Sequence, residues 1–346
     1  MSKDNKFDKI FKAFKETIPD IEFNRILGEG GFGEVREAKY QNKIYAAKVT
    51  EKNEGSFYPE KLVGPNIIKI YKVFEKRIEN KDYYLIIMEK ALLKDLGTFC
   101  KYLHDNYSRL INRPFMEIIG NNFLKFVIMQ IVHGLEILDR NELVHFDIKP
   151  ENILIQQGLN IKITDFSFLK NLQELEKGNE KLKLPGGTPG YLTPEYFHST
   201  EKVDKITAKK QDYFALGATI YVLKVGFQML KYKKYDNDKM TEDRIIDLLQ
   251  RDIAHIRSEP LMDKDFVEFL CKLIQYVPEE RPSFEEIYRN KWLNKDTDYI
   301  SLLAYAFSDI DEHTFMKELI KSDFLMQKQR EIHDNEKNRS NFKFVE

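Results

Sequence analysis

Apolar residues recur along the chain with two different periods. Phe7, Ile10, Phe11, Phe14 and Ile18 fall at helical spacing with lysines between them, which predicts an amphipathic helix at the start of the chain. From Phe23 to Val49 the pattern changes to alternating apolar segments broken by glycines, the signature of paired strands. The apolar run Tyr83–Met88 reads as a buried strand. Asn122–Leu138 carries apolar residues at three- and four-residue steps and reads as a long helix. Short strands are expected at Ile153–Leu154 and Ile161–Ile163, and from Gln211 onward the pattern is mostly helical. Thr314–Gln329 predicts one more helix, and the polar stretch Asp334–Asn341 is expected to fray. A small β-rich part thus precedes a larger α-rich part, an α+β class with two lobes. The expected organisation is a helical extension at 1–20, a two-lobed domain at 21–293 dividing near residue 91, and a tail at 294–346. No internal repeat is visible.

Composition narrows the function classes. With 346 residues, 42% of them hydrophobic and 13% aromatic, the chain can bury a sizeable core. Its 55 Lys+Arg against 56 Asp+Glu leave a net charge of -1, which argues against a general nucleic-acid binder. Cys100 and Cys271 are the only cysteines, so neither a disulfide framework nor a four-cysteine zinc site is expected. The charged start MSKDNKF lacks an apolar signal core, Ser2 is not a myristoylation glycine, and no apolar run reaches membrane-spanning length. These features predict a soluble protein of the cytoplasm or nucleus.

Three constellations carry chemistry. Gly28-Glu29-Gly30-Gly31-Phe32-Gly33-Glu34-Val35 can form a flap that approaches phosphates closely and offers them backbone N–H groups. A dinucleotide-binding turn would need a helix next, whereas the residues up to Val49 continue as strand. A glycine-rich hairpin without a ligand is the plainer alternative. Lys48 ends the apolar strand after the flap, where an ammonium can meet phosphate oxygens. The segment His145-Phe146-Asp147-Ile148-Lys149-Pro150-Glu151-Asn152 offers a carboxylate, an ammonium and an amide on one loop. Asp147 can orient and deprotonate a hydroxyl, Lys149 can neutralise a transferring phosphate, and Asn152 can ligate a metal. Thr164-Asp165-Phe166-Ser167 then supplies a second carboxylate.

In this order the motifs resemble those of the eukaryotic protein kinases over roughly Phe23 to Leu293. Three later features agree. Gly187 to Glu195 is similar to the family's segment ending in Ala-Pro-Glu, with Thr193 for the alanine. Asp212 resembles the aspartate that anchors the catalytic loop, and Arg281 the arginine that pairs with Glu195. The resemblance implies a serine/threonine kinase that uses ATP and Mg²⁺ on protein substrates. Asp147 would be the catalytic aspartate, with Asn152 and Asp165 as metal ligands and Lys48 on the α/β-phosphates. Leu27, Gly28, Gly30, Gly33, Val35, Ala46 and Leu154 would enclose the nucleotide. Met88 would gate the back pocket, while Glu89 and Ala91 offer hinge backbone. Lys149 with Thr188 matches the serine/threonine pattern, and His145 would be a packed residue, neither acid nor base. Asp95 and Glu151 lie where some relatives place acids that select basic residues in the substrate, so a mild preference of that kind is expected.

The chain departs from the family in four places. Phe146 replaces the arginine before the catalytic aspartate, and Ser167 replaces the glycine after Asp165-Phe166. The helix that should supply a glutamate to Lys48 is cut short around Gly55 and Pro59, leaving Glu60 as the expected partner and Glu54 as the other choice. The segment 105–117 has no assigned role. Two consequences are expected. The N-terminal helix docks on the small lobe beside the shortened helix, with a membrane surface as its competitor. The loop from Phe168 to Gly187, which contains no Ser, Thr or Tyr, is held by packing or by a regulatory partner and needs no phosphate. A pseudokinase that only binds nucleotide and a small-molecule kinase are the alternatives.

Overall fold

A computed structural model describes residues 6–295 apart from 32, 53–57, 92–94, 100, 102–120, 157–159, 174–183, 199–202, 227–228, 230–240 and 261. Glu54, the 105–117 segment and the tail beyond residue 295 lie outside the described residues, and with them the expected 314–329 helix.

Strands β1 (Ile21–Gly30), β2 (Gly33–Tyr40), β3 (Lys43–Glu51), β4 (Ile70–Ile78) and β5 (Lys81–Met88) form one antiparallel sheet in the order β1-β2-β3-β5-β4. Gln41-Asn42 and Glu79-Asn80 close two of its hairpins with all four residues at positive φ, the hand that matches strand twist. Side chains alternate across a strand, so β3 and β5 each serve two cores. Ala46, Ile86 and Met88 face the main core, while Ala47, Val49, Leu85 and Ile87 face the opposite side. Burial on both faces explains the unbroken apolar run of β5. The edge strand β4 escaped the sequence reading because its charged residues Lys72, Glu75, Lys76 and Arg77 mask the alternation.

Helix α1 (Lys6–Lys15) covers that opposite side. Its Ile10, Phe11 and Phe14 pack with Ile18 on Ala38, Ala47, Val49, Leu85 and Ile87. Docking on the small lobe is as expected, but the place is not: α1 lies on the outer face of the sheet, away from residues 58–62. The reason is that only this face presents an uncovered apolar surface. Arg36 fixes the contact, pairing with Asp8 on α1 and with the fully buried Glu34 while lying 4.4 Å from the Phe11 ring centre. Lys76 Nζ donates to the Ala13 carbonyl at 2.6 Å, satisfying a carbonyl of the last turn.

The second lobe is built on α2 (Asn121–Arg140) and α4 (Lys205–Val225), with α3 (Pro194–His198), α5 (Glu242–Ser258), α6 (Lys264–Leu273), α7 (Phe284–Tyr288) and α8 (Lys291–Asn294) around them. Helix α4 starts at an Asp204 cap, stops at Gly226 with φ 84°, and is buried on nearly every side. Between α2 and α4 run four short strands: β6 (Leu143–Val144), β7 (Ile153–Ile155), β8 (Ile161–Ile163) and β9 (Lys170–Asn171). Strand β6 pairs with β9 and β7 with β8.

Candidate functional site

The register of β7 against β8 assembles the centre of the site. Ile153 faces Ile163, so the residues just outside the ladder, Asn152 and Thr164-Asp165, come together, and Thr164 N donates to the Asn152 carbonyl at 3.0 Å. Asn152 ends a short 3-10 turn opened by Pro150, whose fixed φ suits that position.

The loop before it hangs from α4. Asp212 is buried, and its two carboxylate oxygens accept the N–H groups of His145 at 2.8 Å and Phe146 at 2.9 Å. Burial pushes the Asp212 carboxyl up, against the pull of these two donors. The bond to Phe146 helps to hold that residue at φ 63°, a left-handed conformation unusual for a bulky side chain. His145 accepts the Asp147 N–H on Nδ1, so its proton sits on Nε2 and is donated to the Thr164 carbonyl at 2.9 Å. Both ring nitrogens are spent on backbone, which fits a packed residue rather than an acid or base.

Asp147 is saturated by donors. Its Oδ1 accepts from Thr188 N at 3.0 Å and Thr188 Oγ1 at 2.7 Å, and its Oδ2 from Lys149 Nζ at 2.8 Å and Asn152 Nδ2 at 2.9 Å. Lys149 also reaches Thr188 Oγ1 at 2.5 Å. The predicted catalytic residues of the loop therefore form one hydrogen-bonded cluster. With its amide nitrogen tied to Asp147, Asn152 has its carbonyl oxygen left as the atom for a metal ion.

Lys48 pairs with Asp165, Nζ to Oδ1 at 2.5 Å, and also donates to Ser167 Oγ at 3.1 Å. Burial would raise Asp165, but the Lys48 charge and hydrogen bond, with help from Ser167, hold it well below the usual carboxylate range. Glu60 is not the partner of Lys48. Its carboxylate accepts the Val73 N–H at 3.1 Å, because residues 60–61 form a turn instead of the helix that Pro59 was expected to open. The role of the Ser167 hydroxyl escaped the sequence reading: it donates to Asp165 Oδ1 at 2.5 Å. Burial pushes the nearby Tyr58 hydroxyl up to about 12.

Apart from Glu60, every residue expected around a nucleotide lines one cavity of about 870 Å³ between the lobes, within the range of small-molecule sites. These are Leu27, Gly28, Gly30, Gly33, Val35, Ala46, Lys48, Met88, Glu89, Ala91 and Leu154; Lys149, Asn152, Asp165 and Thr188 line it too. The glycines divide into two kinds. A Cβ on Gly28 or Gly30 would meet no protein atom, so their bare backbone borders open space. A Cβ on Gly33 would stand 2.1 Å from the Val49 carbonyl oxygen, so Gly33 is there for the approach of β2 to β3. At the hinge, Glu89 N–H donates to the Lys69 carbonyl at 2.8 Å, and the Glu89 carbonyl and Ala91 N–H take no backbone partner among the described residues. Asp95 is engaged locally, both of its oxygens accepting from Thr98 at 2.7 and 2.8 Å.

The arginine pocket beside the catalytic loop has become apolar. Phe146 packs with Val144, Leu172, Leu184 and Ala208, joining the loop to both described ends of the segment 168–187. Further along, the buried Arg281 pairs with Glu195 and donates to the carbonyls of Gln275 and Lys210 at 3.0 Å each.

The family model described as Protein kinase domain matches residues 21–293. Among curated proteins, the chain is 26% identical over 309 residues to Serine/threonine-protein kinase PLK4 of Drosophila ananassae, covering 85% of this chain and 36% of that protein. It is 27% identical over 305 residues to PLK4 of Drosophila virilis, covering 82% of this chain and 34% of that protein. Aurora kinase of Saccharomyces cerevisiae is 28% identical over 309 residues, with 85% of this chain and 74% of the yeast protein covered. The chain spans about a third of the length of the fly relatives.

Proposed function

The chain belongs to the protein kinase family, and on that premise we propose that it transfers the γ-phosphate of ATP to serine or threonine of protein substrates. The observation that carries the reading is the Asp147 cluster, in which one carboxylate is held by Thr188, Lys149 and Asn152, three residues that themselves line the interlobe cavity. Asp147 would orient a substrate hydroxyl and take its proton. Lys149 would lie against the transferring group, and Thr188 fixes the carboxylate so that its direction does not change during transfer. Lys48 would hold the other phosphates and Asp165 the metal, their present ion pair keeping both charges in place. Asn152 would offer its carbonyl oxygen. Mg²⁺, when bound, neutralises the phosphate charge. The Glu89 carbonyl and Ala91 N–H suit the edge of a purine. No helix among the described residues is long and apolar enough to cross a membrane.

Turnover on the order of 1–100 s⁻¹ is expected for a fully active enzyme. Asp165→Asn should abolish Mg²⁺-dependent transfer to a generic protein substrate, read with γ-labelled ATP. A variant as fast as the parent would remove Asp165 from its role. A parent that binds ATP and transfers nothing would make the chain a binding module.

The apolar pocket around Phe146 supports a kinase that needs no phosphate on the segment 168–187. A phosphate there would be ordered by arginine, and the described contacts at this place are hydrophobic. Protein made in bacteria and treated with phosphatase should keep its activity. A large loss traced by mass spectrometry to phosphate on Thr188 or Thr193 would refute this.

A further inference from the structure

Side chains alternate along a strand, and β2 puts its two faces to different use. Val35 lines the interlobe cavity, whereas its neighbours Glu34 and Arg36 lie on the outer face, where Arg36 meets Asp8 and Phe11 of α1. Glu34 is fully buried there and directly follows Gly33, the last glycine of the flap. Across the hairpin it pairs with Glu29, one step from the Gly30–Gly33 pair at the tip, and like charges directly opposite each other destabilise a strand pair. A cation is needed at this point, and Arg36 brings it, its Nε donating to Glu34 Oε1 at 2.6 Å. Helix α1 fixes where that cation stands. Asp8 accepts from Arg36 Nη2, and the guanidinium carbon lies 4.4 Å from the Phe11 ring centre. A planar, forked guanidinium can bond two carboxylates while stacked on a ring, and a compact ammonium cannot. The other strand of the hairpin is held as well, by Phe23 edge-on to Phe11 at 4.7 Å. Helix α1 therefore grips from outside the two strands that border the cavity with Leu27, Gly28 and Val35.

Resting on the nucleotide reading of this cavity, we propose that α1 positions the glycine-rich flap over a bound nucleotide, with Arg36 as the positioning residue that carries its grip to Glu34. Neither Arg36 nor Asp8 lines the cavity, and both act through the hairpin.

The test compares Asp8→Asn, Arg36→Lys, their double variant and, as a control, Lys6→Gln. Cutting Arg36 back to alanine would strand the buried Glu34 charge and endanger folding, whereas lysine keeps a cation there and loses the fork. Lys6 pairs with Glu51 at 3.7 Å, so it ties α1 to β3 and not to the flap. The measurements are kcat and KM for ATP, calorimetric affinity for ADP, the melting temperature, and deuterium uptake of the peptide spanning residues 26–36 in nucleotide-free protein. Asp8→Asn and Arg36→Lys should each raise KM for ATP about two- to fivefold with kcat unchanged, the scale of a partly exposed ion pair. ADP should weaken by the same factor. The 26–36 peptide should take up deuterium faster, while peptides of the second lobe keep the parent rate. The double variant should lose little beyond Arg36→Lys, because Asp8 acts through Arg36. Lys6→Gln should match the parent in KM and in uptake. Parent-like KM and ADP affinity in both single variants would overturn the proposal, whatever the melting temperature. A rise in KM in Lys6→Gln equal to theirs, with a lower melting temperature, would show that α1 serves stability alone and would overturn it too. A parent that binds no ADP would overturn the nucleotide reading. The exchange arm needs no nucleotide: faster uptake at 26–36 in Asp8→Asn would then still support the grip of α1 on the flap, and parent-like uptake would end it.

Discussion

Asp147→Asn is expected to slow phosphate transfer by about 10²–10⁴-fold, the range that a positioned acid or base supplies. The substitution preserves shape, so the loss should be chemical. A carboxylate offers acceptors on both oxygens, and Asp147 uses both, with Thr188 on one and Lys149 with Asn152 on the other. An asparagine has one oxygen. Whichever way its amide turns, an NH₂ group faces donors on one side, and no base remains for the substrate hydroxyl. Asp147 is not among the residues lining the cavity, so ADP affinity should stay near that of the parent. Label transfer together with calorimetry checks both halves. A folded variant that transfers phosphate at the parent rate would show that Asp147 is not the base.

The largest effect on stability is expected at α1. Phe11→Ala or Phe14→Ala should each cost roughly 3–5 kcal/mol, as for other fully buried phenylalanines. Both rings are 1% exposed. Phe11 also meets Phe23 edge-on at 4.7 Å and lies under Arg36. Truncation therefore opens a cavity and loosens the cation that neutralises the buried Glu34. Deleting residues 1–19 exposes Ala38, Ala47, Val49, Leu85 and Ile87 together and should lower the melting temperature further. The same packing decides against a membrane role, because the apolar stripe of α1 is already covered. An unchanged melting temperature with binding to liposomes lost on deletion would reverse that conclusion.

The two-lobed class and the order of the site motifs are legible in the sequence because short, local patterns carry them. Gly28 to Lys48, and Asp147 to Asp165, each lie on one short stretch of chain. What the sequence hides is contact over distance. Nothing near Lys48 marks it as a neighbour of Ser167, since the two meet only when β3 is laid beside the turn after β8. Glu60 misleads for a related reason: Pro59 can open a helix, and only the pull of the Val73 N–H shows that it opens a turn. The stripe of α1 is plain in the spacing of Phe7, Phe11 and Phe14. Which face of the sheet it covers depends on the two-sided burial of β3 and β5, which alternation within one strand does not reveal. Gly33 looks like a ligand glycine from its spacing, yet its demand comes from the Val49 carbonyl across the hairpin.

The apolar pocket at Phe146 also changes what the contacts of Leu172 and Leu184 respond to in their surroundings. A latch made of phosphate and guanidinium is screened as ionic strength rises. Val144, Phe146, Leu172, Leu184 and Ala208 carry no charge to screen, so added sodium chloride leaves their contacts alone. Salts excluded from protein surfaces, such as sulfate, strengthen such burial instead. The contacts of this pocket therefore follow the kind of salt in solution, with little regard to its ionic strength.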